Sequence, residues 1–370
     1  MTEATLFQSR NPRALAWLNY LHFDGWLFLG LLLILGLGLT VMTETLSHAP
    51  ALLIRHIALI VLGLTALLIL AQLPEHLYVG LTPIAYVGAV LLLAYTLFWG
   101  DEAKGAMRWV DWPFVPRFQP SEILKIILPL SLAWYLHDKP APLGIGHALV
   151  CWVIIGIPVG LVFLQPDFGT TVLVATGSLC VVFVAGLRWR WIFAAVIVAM
   201  VGFVVAWRLF LTPYQISRIV TFLDPDSNPL GAGWNIIQSK IALGSGGVTG
   251  KGLGEGTQSH LSFLPEGHTD FILAVIGEEL GFVGTAILLT LFFFVFARGM
   301  IMSRSAASRF GRLMSAGFLM MFFGYTLVNV MMVCGLLPVV GAPLPLVSYG
   351  GTSIVTMLAG FGIVTAMQRS

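Results

Sequence analysis

From Trp26 to Thr43 the chain reads WLFLGLLLILGLGLTVMT, a run without one ionisable side chain. A helix rises about 1.5 Å per residue, so about 20 such residues cross a hydrocarbon core of about 30 Å. In lipid a backbone must satisfy its own hydrogen bonds, which leaves a helix or a closed barrel. Runs of this length recur, and they predict spans near 25–43, 54–73, 77–98, 121–137, 147–164, 168–187, 189–211, 270–297, 309–336 and 347–367. The expected fold class is therefore an all-α integral membrane protein of about ten transmembrane helices, one polytopic domain over 1–370. The composition agrees. Of the 370 residues, 58% are hydrophobic and 10% charged, whereas a soluble domain carries roughly a quarter charged residues. The first apolar run is too long for a signal-peptide core and no small-residue cleavage site follows it, so it reads as an uncleaved span.

Arg and Lys set the orientation. With the N-terminus inside, the inner segments hold Arg10, Arg13, Lys139, Arg188, Arg190, Arg298, Arg304, Arg309, Arg312 and Arg369, against few acids. Both termini are then cytoplasmic. A net charge of +2 offers no basic face to nucleic acid. Cys151, Cys180 and Cys334 lie in apolar runs without metal-ligand spacing and read as small buried residues.

The irregular sequence falls on the outer side. Residues 100–120 are rich in Trp and Pro, and residues 337–353 set prolines against paired glycines. Between spans seven and eight lies the large outer loop 212–269, with a short helix expected over WNIIQSKIAL and a glycine-dense run, GSGGVTGKGLGEG. Structureless loops of that length are uncommon unless functional. The glycine run lacks the spacing of a phosphate-binding loop. It reads as a turn-rich segment, or else as backbone amides approaching an anion. Irregular backbone at membrane depth survives only where protein buries it or a cavity hydrates it, so chemistry is expected near the outer surface.

Three sets of acids stand there. Asp270 opens the eighth span, either as a helix-capping acid or as a general base at the mouth of a cavity. Glu278 and Glu279, about 12 Å further along a helix, are intramembrane acids, which pair inside a bundle or take part in chemistry. Ala274, Gly277, Gly281 and Gly284 form a small-residue face beside them. In FQPSEILK, Ser121 reads as an N-cap, and Glu122 and Lys125 at i, i+3 share one face. They form either a helix-entry pair or part of the same cavity. Asp167, in QPDFGTT, suits a turn and helix start with Thr171. Lys240 and Arg218 are loop cations that are either solvated or contacts for phosphate.

Taken together, FQPSEILK, QPDFGTT, NPLGAGWNIIQSKIALGSGG, FLPEGHTDFILAVIGEELG and PLPLVSYGGTS resemble the SEDS family (shape, elongation, division, sporulation), over essentially the whole chain and in order. The long loop is closer in wording to the elongation branch than to the division branch. The resemblance implies a GT-C-like fold and a peptidoglycan glycosyltransferase that polymerises lipid II at the outer face of the bacterial inner membrane, releasing undecaprenyl diphosphate. It implies Asp270 as the essential acid, with Glu122 and Lys125 in support. The same motifs add Gln238, Ser239, His268, Thr269 and Ser348 as substrate-binding or supporting residues, beside Lys240 and Arg218. Glu278, Glu279 and Asp167 are assigned to holding helices in place. The implied partners are a class B penicillin-binding protein (a transpeptidase), MreC and MreD. A divalent cation, Mg2+ or Mn2+, would offset the diphosphate charge.

Two rival readings use the same residues. A flippase or transporter of the lipid-linked precursor would explain many spans and buried acids, but no inverted repeat is evident and the charged motifs gather on one side. A scaffold that recruits cell-wall enzymes leaves Asp270 unexplained.

Overall fold

A computed structural model describes residues 24–103, 106–112, 117–191, 193–194, 197, 200, 202, 233–260 and 263–368. The seventh expected span, 189–211, and the first part of the large loop, with Arg218, fall largely or wholly outside the described residues.

The chain is helical, as the apolar runs predict. Its helices are α1 (Gly25–Thr45), α2 (Pro50–Gln72), α3 (Glu75–Trp99), α4 (Pro120–Leu136), α5 (Ile145–Leu164), α6 (Phe168–Val184), α7 (Trp234–Ser245), α8 (Thr257–His260), α9 (Ile272–Glu279), α10 (Gly281–Ser305), α11 (Arg309–Val333) and α12 (Thr352–Met367). Among the described residues, α1, α2, α3, α5, α10 and α11 are long and apolar enough to cross a membrane, and α6 and α12 are shorter apolar helices. After α3 comes a small antiparallel hairpin, β1 (Asp101–Ala103) and β2 (Ala106–Trp109). The short helix expected in the large loop is α7.

Helices α4, α11 and α12 form the centre. Helix α11 packs on α4, α6, α10 and α12, while α12 lies along α2 and α10 along α1. Phe318, Phe322 and Phe361 are buried there with edge-to-face rings 5.0–5.3 Å apart, an arrangement that favours the ring quadrupoles. The helices that line the outside keep large apolar side chains exposed, such as Ile84, Phe98 and Phe293, as a lipid-facing surface requires.

One end of the bundle is fastened by the predicted inner arginines. Arg298 of α10 donates to the carboxylate of Asp24, the N-cap of α1. Burial pushes the Asp24 carboxyl up, but hydrogen bonds from Arg298 and from the backbone amides of Leu27 and Trp26, with the charge of Arg298, outweigh it and hold the group below the ordinary carboxylate range. Arg309, at the start of α11, donates to the carbonyls of Lys139 and Ala185.

The expected span 270–297 is not one helix. Helix α9 stops at Glu279, and Gly281 takes the left-handed φ of 67° that ends helices. Into this break fits the glycine run. The amides of Lys251 and Gly252 donate to the carbonyls of Glu278 and Glu279, and those of Phe282 and Val283 donate to Gly247 and Val248. Both interrupted helix ends thus find partners in one turn of chain. The fit admits no side chain at two of the glycines: a Cβ on Gly246 would stand 1.9 Å from Gly277 O, and one on Gly250 2.1 Å from Glu279 O. The glycine density is therefore required by backbone-to-backbone approach, and the amides of 251 and 252 serve carbonyls instead of an anion.

Candidate active site

Helix α4 begins two residues earlier than the N-cap reading of Ser121 allowed. Its N-cap is Gln119 with Pro120 at the first helical position, and no side chain caps it; proline's fixed φ suits that position. Ser121 is instead a buried residue of the first turn. Glu122 and Lys125 do share a face, and the structure buries both, with Lys125 only 1% exposed. Lys125 Nζ donates to Glu122 Oε2 at 2.6 Å and to Ser353 Oγ of α12 at 3.3 Å. It also lies 4.1 Å from the ring centre of Tyr325 on α11, within cation–π range. A buried ammonium survives only with such compensation.

Asp167 N-caps α6, accepting from the amide of Thr170, while Thr171 Oγ1 donates to its carbonyl at 2.6 Å. The sequence did not show its other partners: Gln119 Nε2 donates to Asp167 Oδ2 at 3.0 Å, and Arg108 of β2 stands 3.4 Å from the same oxygen. The β1–β2 hairpin is thereby tied to the starts of α4 and α6.

Asp270 is half-buried, in the turn just before Phe271, the N-cap of α9. That turn folds around the carbonyl of Glu266, which accepts from the amides of Thr269 and Phe271. Thr269 Oγ1 donates to Glu266 Oε2 at 2.7 Å. The carbonyl of His268 accepts from the amide of Tyr349, whose ring stacks on the buried His56 of α2, 5.7 Å away. Ser348 is buried and its Oγ accepts from the amide of Leu344, so it shapes the same 342–351 loop.

Asn329 of α11, missed in the sequence, joins the two halves. Its Nδ2 donates to Asp270 O at 2.8 Å and to Ala342 O at 2.7 Å. Tyr325, beneath Lys125, lies four residues earlier. The two therefore sit about one turn apart on the same face of α11, and that face carries the Glu122–Lys125 pair at one level and the Asp270 turn at the next.

Glu278 is fully buried and forms an ion pair with Lys251 Nζ at 2.6 Å. It accepts further from Thr257 Oγ1 and from the amide of Gln258. Its cation comes from the glycine run and not from another span. Glu279 is equally buried. On α7, Ser239 donates to Val333 O and anchors the helix to the end of α11. Gln238 is buried. Lys240 is exposed, its stem against Gly335. Among the described residues, no three His, Cys, Asp or Glu side chains gather as a metal-ligand set.

A profile of the cell cycle protein family FtsW/RodA/SpoVE matches residues 16–370. The chain belongs to that family. Among similar proteins of the FtsW/RodA/SpoVE family is peptidoglycan glycosyltransferase MrdB of Escherichia coli K12, 43% identical over 97% of this chain and 96% of the relative. A probable peptidoglycan glycosyltransferase FtsW of Trichlorobacter lovleyi is 40% identical over 76% of this chain and 74% of its own length. Two solved structures have the same fold. A chain of a peptidoglycan synthase complex, described for its coordination of polymerization and crosslinking, superposes with a TM-score of 0.80 at 34% identity, covering 94% of this chain and 98% of that one. The rod shape determining protein RodA of Thermus thermophilus gives 0.71 at 31% identity, covering 95% and 98%. The family membership and the elongation-branch likeness expected from the motifs are both shown.

Proposed function

We infer that this chain is a peptidoglycan glycosyltransferase that polymerises lipid II for cell elongation and rod shape, with Asp270 as general base. The observation that carries the site reading is the shared face of α11, which sets the Asp270 turn beside a buried Glu122–Lys125 pair. The donor sugar is α-linked to a diphosphate and the product link is β-1,4, so a single displacement with one inversion suffices. Asp270 takes the proton of the acceptor 4-hydroxyl as that oxygen bonds to the donor anomeric carbon. The bond from that carbon to the diphosphate oxygen breaks, and undecaprenyl diphosphate leaves with the electron pair. Cations would steady the departing charge: Lys125 from within, Lys240 and Arg218 from the loop side. Gln238, Ser239, His268, Thr269 and Ser348 shape the walls.

The chain sits in the bacterial inner membrane with ten spans and both termini cytoplasmic. The arginine-fastened end faces the cytoplasm and the Asp270 end the periplasm, where both lipid-anchored substrates are delivered. A class B penicillin-binding protein crosslinks the product in complex with this chain, and MreC and MreD join the same assembly. A divalent cation, Mg2+ or Mn2+, would add to the positive charge set against the diphosphate.

The test is glycan formation from purified lipid II by the chain with its transpeptidase partner blocked, comparing wild type with Asp270→Asn. Polymer from wild type and none from a folded variant is the expected result. Equal polymer from both would remove Asp270 as base. No polymer from either, beside an active control polymerase, would favour the flippase reading and call for a lipid-flipping assay in vesicles.

A further inference from the structure

We propose that Asn329 is the positioning residue of Asp270. The inference rests on Asp270 being the base, and it assigns a job to a side chain outside the family motifs quoted above.

Asn329 is fully buried in a mostly apolar stretch of α11, GYTLVNVMMV. A buried amide in a membrane helix commonly bonds within its own helix or to a neighbouring side chain. This one does neither. Both of its N–H bonds go to backbone carbonyls of non-helical segments, Asp270 O at 2.8 Å and Ala342 O at 2.7 Å. Both partners are acceptors, so the nitrogen must be the atom that faces them, and the amide orientation is fixed by chemistry. The two segments are the ones that frame the site: the turn that carries Asp270 and the loop that returns to Tyr349 and Ser353. Tyr349 meets the neighbouring carbonyl of His268, and Ser353 meets Lys125. Asn329 is thus the fixed point from which the Asp270 Cα and the opposite wall are both hung.

The neighbouring Thr326 provides the contrast. It is buried on the same helix, but its hydroxyl donates to Phe322 O inside α11 and reaches neither segment. Changing Thr326 probes helix packing, whereas changing Asn329 probes the link to Asp270.

The experiment measures kcat and KM for lipid II polymerisation by the full chain in its partner complex, with melting curves on the same samples. The variants are Asn329→Asp, Asn329→Ser, Thr326→Ala and Asp270→Asn. Asn329→Asp keeps the shape and turns the double donor into an acceptor facing two carbonyls. Asn329→Ser is the safer fold, because its hydroxyl can turn back to its own helix carbonyl while releasing both segments. A displacement of about 1 Å in a catalytic group costs about 100-fold. Both Asn329 variants are therefore expected to lose at least ~10-fold in kcat with KM within ~2-fold, while Thr326→Ala stays near wild type. Wild-type kcat in a folded Asn329→Ser, or a loss that only follows the unfolded fraction, overturns the assignment. If Asp270→Asn itself turns over normally, the base reading falls. If Asp270→Asn is inactive and both Asn329 variants are fully active, only the positioning role falls.

Discussion

The ion pair between Glu278 and Lys251 predicts an asymmetric cost. Glu278 is fully buried, whereas Lys251 keeps 26% of its side chain exposed and donates as well to Thr257 Oγ1 at 2.9 Å. Lys251→Met removes the ammonium and leaves a carboxylate in the protein interior. Breaking a buried pair in this way costs about 3–5 kcal/mol. Glu278→Gln removes the charge instead. The amide oxygen still accepts from Thr257 and from the amide of Gln258, and Lys251 turns to water. That loss is about one hydrogen bond to a charged group, or ~1.5–3 kcal/mol. The double variant leaves neither a buried charge nor a stranded ammonium, so it should melt above Lys251→Met despite carrying one more change. The assay is thermal unfolding of the purified protein in detergent, read as a cycle of four proteins. The reasoning is refuted if Glu278→Gln is the more damaging single change, or if the double variant melts below both.

Gly250→Ala should be poorly tolerated, because it adds a Cβ against Glu279 O at a φ of 83°. Expression and melting temperature should both fall, while Gly244→Ala, with open space around it, should behave as wild type. Asp24, whose carboxyl lies below its ordinary range, lends stability that is complete above the normal carboxylate pKa and is lost as pH falls through the lowered value. Melting temperature followed downward from neutral pH should show this acid-side loss in wild type and a weaker one in Arg298→Gln. Lys125→Met should abolish polymerisation and also destabilise the fold, since it strands Glu122, whereas Lys240→Met on the exposed side of α7 should lower activity without changing melting.

Much of this was legible in the sequence because lipid permits few solutions. An apolar run of some twenty residues must satisfy its own backbone in lipid, and here each such run that the structure describes is helical. The Glu122–Lys125 spacing fixes a shared face on any helix. Its burial was not legible, because it depends on Tyr325 and Ser353, some two hundred residues further along. The break at Gly281 escaped for a different reason. Apolar helix formers flank it on both sides, and a glycine that ends a helix looks the same as a glycine that lets two helices touch. Lys251 likewise reads as a loop cation until the hairpin folds against Glu278. Asn329 was the hardest, since its partners are carbonyls, and every residue has one.

The eight-residue α9 also bears on how the chain is made. At about 1.5 Å per residue it is about 12 Å long, well short of the ~30 Å core, and its residues 272–279 are all buried. It cannot settle in lipid as an independent span. It packs on α7 and α10, but the turn that leads into it is held by Asn329 of α11 and by Tyr349 of the 342–351 loop, both of which leave the ribosome later. The turn bearing Asp270 must then wait, with the glycine hairpin wrapped on it, until the C-terminal helices arrive. Synthesis of the bundle and assembly of its working centre are separate events, and a chain cut short after α10 would hold most of its membrane spans without ever holding a site.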